Sequence, residues 1–248
     1  MGKLFRTRDK LLLGLAILGD LYTWSVTTKS RTIRDLKRDP WSSRRSYPGS
    51  LRTAVSRMLK TGLIEKRVKG GEAVWELTGL GKNRLHRSFP LLKWQEKKWD
   101  GWWRIVIFDI TAKRNWIRDK LRRKLLELGF GRWQESVYTS PHDVAEDMKE
   151  FLQSEHLEEQ VSILETRELW PNNQEKIERM WKLNKLNKKY LTIVEKFQEG
   201  KKQKLRVDYL AAVGIDPFLP KQFLPQPWFG DEARRIISRL SIVRKSRS

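Results

Sequence analysis

The pattern of apolar and polar positions is clearest between residues 101 and 166. Ile105 to Phe108 is an unbroken apolar run that ends at Asp109, as expected for a central strand covered on both faces. Apolar residues then recur at helical spacing to Leu128, and Val137 lies in the strand pattern that follows. A second amphipathic helix leads into the strand at 161–165. This order of strand, helix, strand or hairpin, helix and strand predicts a ferredoxin-like domain.

The N-terminal part of the chain shows the pattern of a winged helix. A first helix is predicted by an apolar stripe of Leu11, Leu12, Leu15, Leu18 and Tyr22. Residues 31–38 predict a short second helix, and Ser50 is a favourable N-cap for a third. The predicted buried face of the third helix comprises Leu51, Ala54, Val55, Met58 and Leu59. Gly62 ends this helix, and two apolar segments joined by Gly70-Gly71 predict a hairpin.

The opposite face of the third helix is polar and basic. It carries Arg52, Thr53, Ser56, Arg57 and Lys60. A helix of this kind, followed by a hairpin with Lys69 at its tip, can enter a major groove while the hairpin touches the backbone. We therefore predict that these residues, together with Arg44 and Arg45, contact double-stranded DNA. The alternative is a basic winged helix that mediates protein contacts.

The last third of the chain predicts a helical domain. A helical apolar stripe comprises Trp181, Leu183, Leu186, Tyr190, Val194 and Phe197. A rigid passage follows, with prolines at 217, 220, 225 and 227. The predicted fold class is therefore α+β, with a winged helix at 1–95, a ferredoxin-like dimerisation domain at 96–170 and a helical C-terminal domain at 171–248.

Charge indicates where a polyanion would bind. The chain has 52 Lys and Arg against 30 Asp and Glu, a formal net charge of +22. Residues 1–95 hold 21 basic and 7 acidic residues, residues 96–170 hold 13 and 15, and residues 171–248 hold 18 and 8. Because phosphates attract excess positive charge, the N-terminal third is the better candidate for the main contact surface and the middle the poorer one.

Cysteine usage and the N-terminal apolar run bear on the compartment. The absence of cysteine excludes disulfides and thiolate metal sites and is consistent with the cytoplasm. The run Leu11 to Leu18 is too short to span a bilayer, and Asp9 and Asp20 flank it, unlike a secretory signal. His86, His142 and His156 are isolated in sequence, and each is predicted to be a surface residue.

Motifs along nearly the whole chain resemble the PaaX family of bacterial transcriptional repressors. The central motif is matched by Trp99, Asp100, Gly101, Trp103, Arg104, Phe108, Asp109, Leu128, Gly129, Phe130, Ser136, Val137 and Pro141. The C-terminal motif is matched by Asp216, Pro217, Leu219, Pro220, Leu224, Pro225, Trp228 and Gly230. Tyr47, the helix at 55–60 and Gly62-Leu63-Ile64 resemble the family's N-terminal reading head.

This resemblance implies a sequence-specific, dimeric DNA-binding repressor with no cofactor. It also implies a C-terminal region that responds to an acyl-CoA or another small-molecule effector, the family's inducer being phenylacetyl-CoA. Trp181, Trp228 and the lysines at 185, 188 and 189 could bind such an anion, or the lysines could be a solvated helix face.

The central domain is also similar to the small ferredoxin-like nuclease subunit of CRISPR spacer acquisition. Asp109 falls on that subunit's proposed metal ligand, which implies an alternative function as a nucleic-acid-binding protein or a Mg²⁺- or Mn²⁺-dependent endonuclease. Cleavage usually needs several convergent carboxylates, and Glu135 and Asp143 are predicted at ordinary positions on a strand and at a helix start. We therefore favour a regulator over a nuclease.

A homodimer is predicted on separate grounds. If the strand at 105–108 is apolar on both faces and two helices cover one, the other face needs an apolar cover. We expect Val106 or Phe108 to point toward that second face. A twofold partner could provide the cover, and so could another domain of the same chain.

Overall fold

The structure is a computed structural model, and it describes residues 7–19, 24–25, 48–69, 72–169, 174–201 and 204–242. The described helices are α1 (Thr7–Gly19), α2 (Pro48–Lys60), α3 (Gly79–Ser88), α4 (Asn115–Glu127), α5 (Ala145–Glu155), α6 (Gln174–Trp181), α7 (Leu183–Gln198), α8 (Leu205–Val213) and α9 (Gly230–Ile242). The described strands are β1 (Trp24–Ser25), β2 (Ile64–Lys69), β3 (Glu72–Leu77), β4 (Trp103–Phe108), β5 (Gly131–Gln134), β6 (Val137–Ser140) and β7 (Val161–Thr166). The predicted α+β class is confirmed.

The chain divides into two compact units that alternate along the sequence. Unit 1 comprises residues 1–88, 187–215 and 229–248, and unit 2 comprises residues 89–186 and 216–228. The chain therefore passes from one unit to the other four times, and one of these passages lies within α7.

Unit 1 contains a three-stranded antiparallel sheet in the order β1-β3-β2. Helices from both ends of the chain contribute to its core, and α1 contacts α8. The two helices are close, because a Cβ added at Gly14 would lie 3.7 Å from Leu210 Cδ1. Leu12 and Leu13 of α1 are buried, as are Tyr209 and Ile237 of the C-terminal helices.

Unit 2 contains a four-stranded antiparallel sheet in the order β5-β6-β4-β7. Its elements follow the sequence β4-α4-β5-β6-α5-β7, which is the order predicted for this region. One face of the sheet packs against α4 and α5 through Val106, Phe108, Ile117, Leu121, Leu125, Tyr138, Met148 and Leu152.

The expectation that Val106 or Phe108 points away from the helices is wrong. Both lie in the helix-facing core, because residues two apart on a strand share a face. Trp103, Ile105 and Ile107 occupy the other face. Trp103 and Ile105 belong to a second core that includes Ile177 of α6 and the 216–228 segment, so the same chain covers this part of the face.

Among the helices that the structure describes, none combines the length and the apolar composition needed to cross a membrane.

Candidate nucleic-acid interface

The predicted polar face of the DNA-binding helix is present on α2. Thr53, Ser56, Arg57 and Lys60 are all exposed and line one open concavity. Their spacing of three, four and seven residues places them on a single face of the helix. Two hydroxyl groups and two cationic groups therefore face one surface on successive turns.

Local contacts fix the orientation of α2. Met58 is buried on the face opposite the concavity. The helix ends where Gly62 adopts a φ of +65°, and the Leu63 N–H donates to Met58 O over 2.9 Å. It begins at Pro48, two residues before the predicted cap at Ser50, because proline is well tolerated in a first turn. Leu59, predicted on the buried stripe, is exposed instead.

The two strands predicted after α2 form an antiparallel hairpin. β2 and β3 pair from Ile64–Leu77 to Lys69–Glu72, so residues 70 and 71 connect the strands. On this hairpin Arg67 forms ion pairs with Glu65 at 2.7 Å and Glu76 at 3.5 Å. The hairpin begins at Ile64, four residues after Lys60, the last residue of the exposed helix face.

The remaining predicted DNA-binding residues are placed only in part. Arg52 lies within α2 and Lys69 ends β2, but their side chains are not among the described ones. Arg44, Arg45, Tyr22 and the predicted helix at 31–38 lie outside the described residues. The DNA-contacting role of all eight residues stays a prediction.

Asp109 directly follows β4, and its side chain is exposed. Its backbone N–H donates to Gln160 O over 3.0 Å. Glu135 lies in the turn between β5 and β6, whereas a strand position was predicted, and Asp143 lies 3.5 Å from Arg104. Within the described ranges, no three histidine, aspartate or glutamate side chains are close enough to hold one metal ion.

The Trp-Asp-Gly-x-Trp-Arg motif forms an ion-pair network. Arg104 is only 5% exposed, and its guanidinium donates to both Asp100 oxygens at 2.9 and 2.6 Å. It also donates to Glu165 at 3.0 Å. Burial favours the neutral acid, but the hydrogen bonds from Arg104 and the Trp102 N–H, together with the positive charge of Arg104, outweigh it and lower the pKa of Asp100. This network ties the residues before β4 to β7.

His142 is buried, so the prediction of a surface histidine is wrong for this residue. Its ring stacks on Trp94 with centroids 4.9 Å apart, and Nε2 donates to Pro217 O over 2.7 Å. Burial lowers the pKa of His142 to about 4, although the Pro217 carbonyl acts in the opposite direction. The bond joins the residue that follows the central motif to Pro217 of the C-terminal motif, across 75 residues of sequence.

A concavity of about 180 Å³ lies beside His142. Its lining includes Trp94, Lys97, Trp99 and Phe218. Trp181, predicted to face a ligand, packs elsewhere in unit 2: its Nε1 donates to Gly129 O over 2.9 Å, and a Cβ at Gly131 would lie 2.7 Å from its ring. Trp181 therefore has a packing role.

Comparisons with known proteins agree with the motifs. Residues 96–178 match the family described as PaaX protein central Cas2-like domain. The chain is 23% identical over 209 residues to the transcriptional repressor PaaX of Escherichia coli (strain K12). That match covers 75% of this chain and 66% of the relative, just under two thirds of its length. The predicted resemblance to the PaaX family is confirmed.

The fold is similar to that of the uncharacterized protein Rv0674 from Mycobacterium tuberculosis. The two chains have a TM-score of 0.60 and 20% sequence identity, and the match covers 97% of this chain and 96% of the other. At this identity the likeness shows a shared fold alone.

Proposed function

We propose that this PaaX-like chain is a cytoplasmic, dimeric transcriptional repressor that reads double-stranded DNA through a winged helix in unit 1. The observation that carries the proposal is the exposed face of Thr53, Ser56, Arg57 and Lys60 on one side of α2. In this proposal α2 is the recognition helix, and the β2–β3 hairpin is the wing.

The chemistry of this face suits DNA. The guanidinium group of arginine and the ammonium group of lysine neutralise phosphates and can donate to guanine edges. Serine and threonine hydroxyls donate to either phosphates or bases. Arg57 and Lys60 lie three residues apart, within one turn of α2. The excess of 14 positive charges in residues 1–95, most of which belong to unit 1, supports attraction of a polyanion to this part of the chain.

The proposal is tested with the double variant Arg57→Ala with Lys60→Ala in the full chain. We expect affinity for a DNA site selected from a random pool to fall at least about tenfold and the salt dependence to become shallower by about two counterions. The matched control is Lys82→Ala with Arg87→Ala, which removes the same charge from exposed positions of α3. Equal affinities for the wild type and the α2 variant would contradict the proposal.

The dimer is supported by the uncovered part of the unit 2 sheet. Ile107 is 40% exposed and Leu164 is 49% exposed. Both lie on the face away from α4 and α5, since Leu164 pairs with Ile105. A second copy could cover this apolar surface, and two copies would present two recognition helices to a near-palindromic site.

Effector control is the last part of the proposal. It rests on the family resemblance, and the concavity beside His142 offers aromatic rings and the cations of Lys97 and Lys98, alongside the carboxylates of Asp100 and Asp143. Phenylacetyl-CoA and other acyl-CoAs are the probes, and the measurement is DNA affinity of the full chain at saturating probe. A ligand acts only through different affinities for two states, so unchanged DNA affinity with every probe would remove this part.

A further inference from the structure

Two arginines of α4 lie side by side against the β5–β6 turn of unit 2. Arg118 and Arg122 are one helical turn apart, and their side chains are largely covered. The carboxylate nearest to both belongs to Glu135, with Oε1 3.8 Å from Arg118 Nη2 and 3.4 Å from Arg122 Nη2. Glu135 itself is 77% exposed. The two guanidinium groups thus share one solvated oxygen at long range.

These arginines have unused hydrogen-bonding capacity. Nε of Arg118 and Nε of Arg122 are buried and have no hydrogen-bond partner. The other contacts are long, at 3.4 Å from Arg118 Nη1 to Asn115 Oδ1 and 3.7 Å from Arg122 Nη1 to Asp119 Oδ1. A buried donor without a partner is costly, and one explanation of such a group is a bound anion or water.

The buried arginine of the same unit gives an internal comparison. Arg104 is surrounded by three carboxylates, with donor distances down to 2.6 Å, and serves to hold the structure together. Arg118 and Arg122 are not saturated in this way. Their contacts are fewer and longer than those of Arg104, so the pair is not a completed structural ion pair.

A third cation lies beside the pair. Arg132 on the edge strand β5 pairs in register with Tyr138 on β6, so the two side chains share the sheet face on which α4 packs. Burial raises the pKa of the Tyr138 phenol, and the positive charges of Arg122 and Arg132 act in the opposite direction. The cluster thus joins three guanidinium groups and a phenol hydroxyl at one edge of unit 2.

The chemistry of this cluster, and its place outside the two concavities, indicate the class of its ligand. Guanidinium groups bind phosphate oxygens in a planar, bidentate manner. None of the cluster residues lines either concavity described above, and small ligands are usually enclosed in concave sites. We propose that Arg118, Arg122 and Arg132 bind a phosphodiester of a nucleic-acid backbone, as a second contact surface beyond α2. This inference rests on the proposed function, because it assumes that the partner is nucleic acid.

The inference is tested in the full chain with Arg118→Gln and Arg122→Gln combined. Binding of a short DNA duplex of unrelated sequence is measured over a range of salt concentrations. We expect affinity at low salt to fall about tenfold, and the slope of log K against log salt to become shallower by about 2, as for the loss of two phosphate contacts. The control is Lys113→Gln with Arg123→Gln, two exposed cations of the same region, which should leave the slope unchanged.

Glu135→Gln provides the opposite test. It removes the anion that competes for Arg118 and Arg122, so DNA affinity should rise. A merely structural role of Glu135 would leave affinity unchanged or lower it. This variant also keeps the inference open to refutation if the double arginine variant does not fold, as judged by circular dichroism.

Three outcomes would overturn the inference. The first is a double variant that folds and keeps the wild-type slope, and the second is Glu135→Gln without any gain in affinity. The third is saturable binding of inorganic pyrophosphate that the double variant abolishes while the DNA slope stays unchanged, since the ligand would then be a small phosphate. If only the α2 variant Arg57→Ala with Lys60→Ala loses DNA, this inference fails alone. If the wild-type chain binds no DNA, the proposed function fails with it.

Discussion

At the scale of single residues, His142 has the most strongly shifted pKa of the described groups in unit 2. Its hydrogen bond to Pro217 O requires a proton on Nε2, because a carbonyl oxygen can only accept. Burial makes a second proton unfavourable, and the positive charges of Lys93 and Arg104 add to this effect. The ring therefore stays neutral at physiological pH and acts as a fixed donor to the 216–228 segment.

The stability of the protein should decrease in acid because of this histidine. The ordinary histidine pKa is 6.5 and that of buried His142 is about 4, so between these values the unfolded chain takes up a proton that the folded chain does not. The stabilisation is complete above pH 6.5 and is lost as the pH falls toward 4, by up to about 3 kcal/mol. His142→Gln keeps a donor but cannot titrate, so its unfolding free energy, measured in urea at both pH values, should change less than that of the wild type. An identical acid loss in both proteins would contradict this assignment.

Asp109 distinguishes a regulator from a nuclease. We expect Asp109→Ala to leave DNA affinity within about threefold of the wild type. The side chain is exposed, and it belongs to unit 2, whereas α2 belongs to unit 1. We also expect no cleavage of DNA or RNA by the wild type with Mg²⁺ or Mn²⁺. Cleavage is detected by gel electrophoresis. Metal-dependent cleavage by the wild type that disappears in the variant would favour the nuclease alternative.

At the scale of elements, the prediction succeeded where one local pattern determined the outcome. The unbroken apolar run of β4 indicated a strand covered on both faces, and both faces contain buried residues, although Ile107 is 40% exposed. Turn chemistry placed the hairpin connection at residues 70 and 71. Leu59 was predicted to be buried but is exposed, because burial at the edge of a helical stripe depends on which element packs beside it. His142 was missed, because its partner lies 75 residues away and no periodicity marks a loop residue.

The exposed end of the unit 2 sheet should be an interface. Ile107→Asp with Leu164→Asp would place two charges in it, and a desolvated unpaired charge costs several kcal/mol. We expect the dimer dissociation constant, measured by sedimentation, to rise at least about tenfold while the fold survives, because both side chains are about half exposed in the single chain. Leu126→Asp is the matched control, since Leu126 is 57% exposed on α4. A double variant that dimerises like the control would show that this face is not the interface.

At the scale of the whole molecule, each of the two compact units combines separate stretches of the sequence, whereas the three domains predicted at 1–95, 96–170 and 171–248 are continuous. The predicted boundaries concern autonomous folding and stay a prediction. The contacts that define the units show why local patterns do not reveal them: α1 packs on α8, and Phe223 packs on Trp103, over separations of more than a hundred residues. Sequence periodicity reports which face of a helix is apolar, but not which distant helix will cover it.

A chain that ends after residue 170 tests the three-domain prediction. It would lack α8, which packs on α1 in unit 1, and the 216–228 segment, which packs on Trp103 in unit 2. Because two apolar cores would be opened, we expect loss of cooperative thermal unfolding and of DNA binding, measured by circular dichroism and by a binding titration. A truncated chain that unfolds cooperatively and still binds DNA would show that the C-terminal third is dispensable for both units.

The alternation of the chain between units also constrains how such a protein could be recombined. A chimera that receives residues 1–88 from another protein would replace α1, including Gly14, with a helix surface that has not been matched to Leu210 of α8. A compatible graft therefore has to carry residues 187–215 and 229–248 from the same donor, and leave the intervening 216–228 segment with the recipient. If α2 reads DNA as proposed, point substitutions on α2 would change the DNA specificity without any of these exchanges.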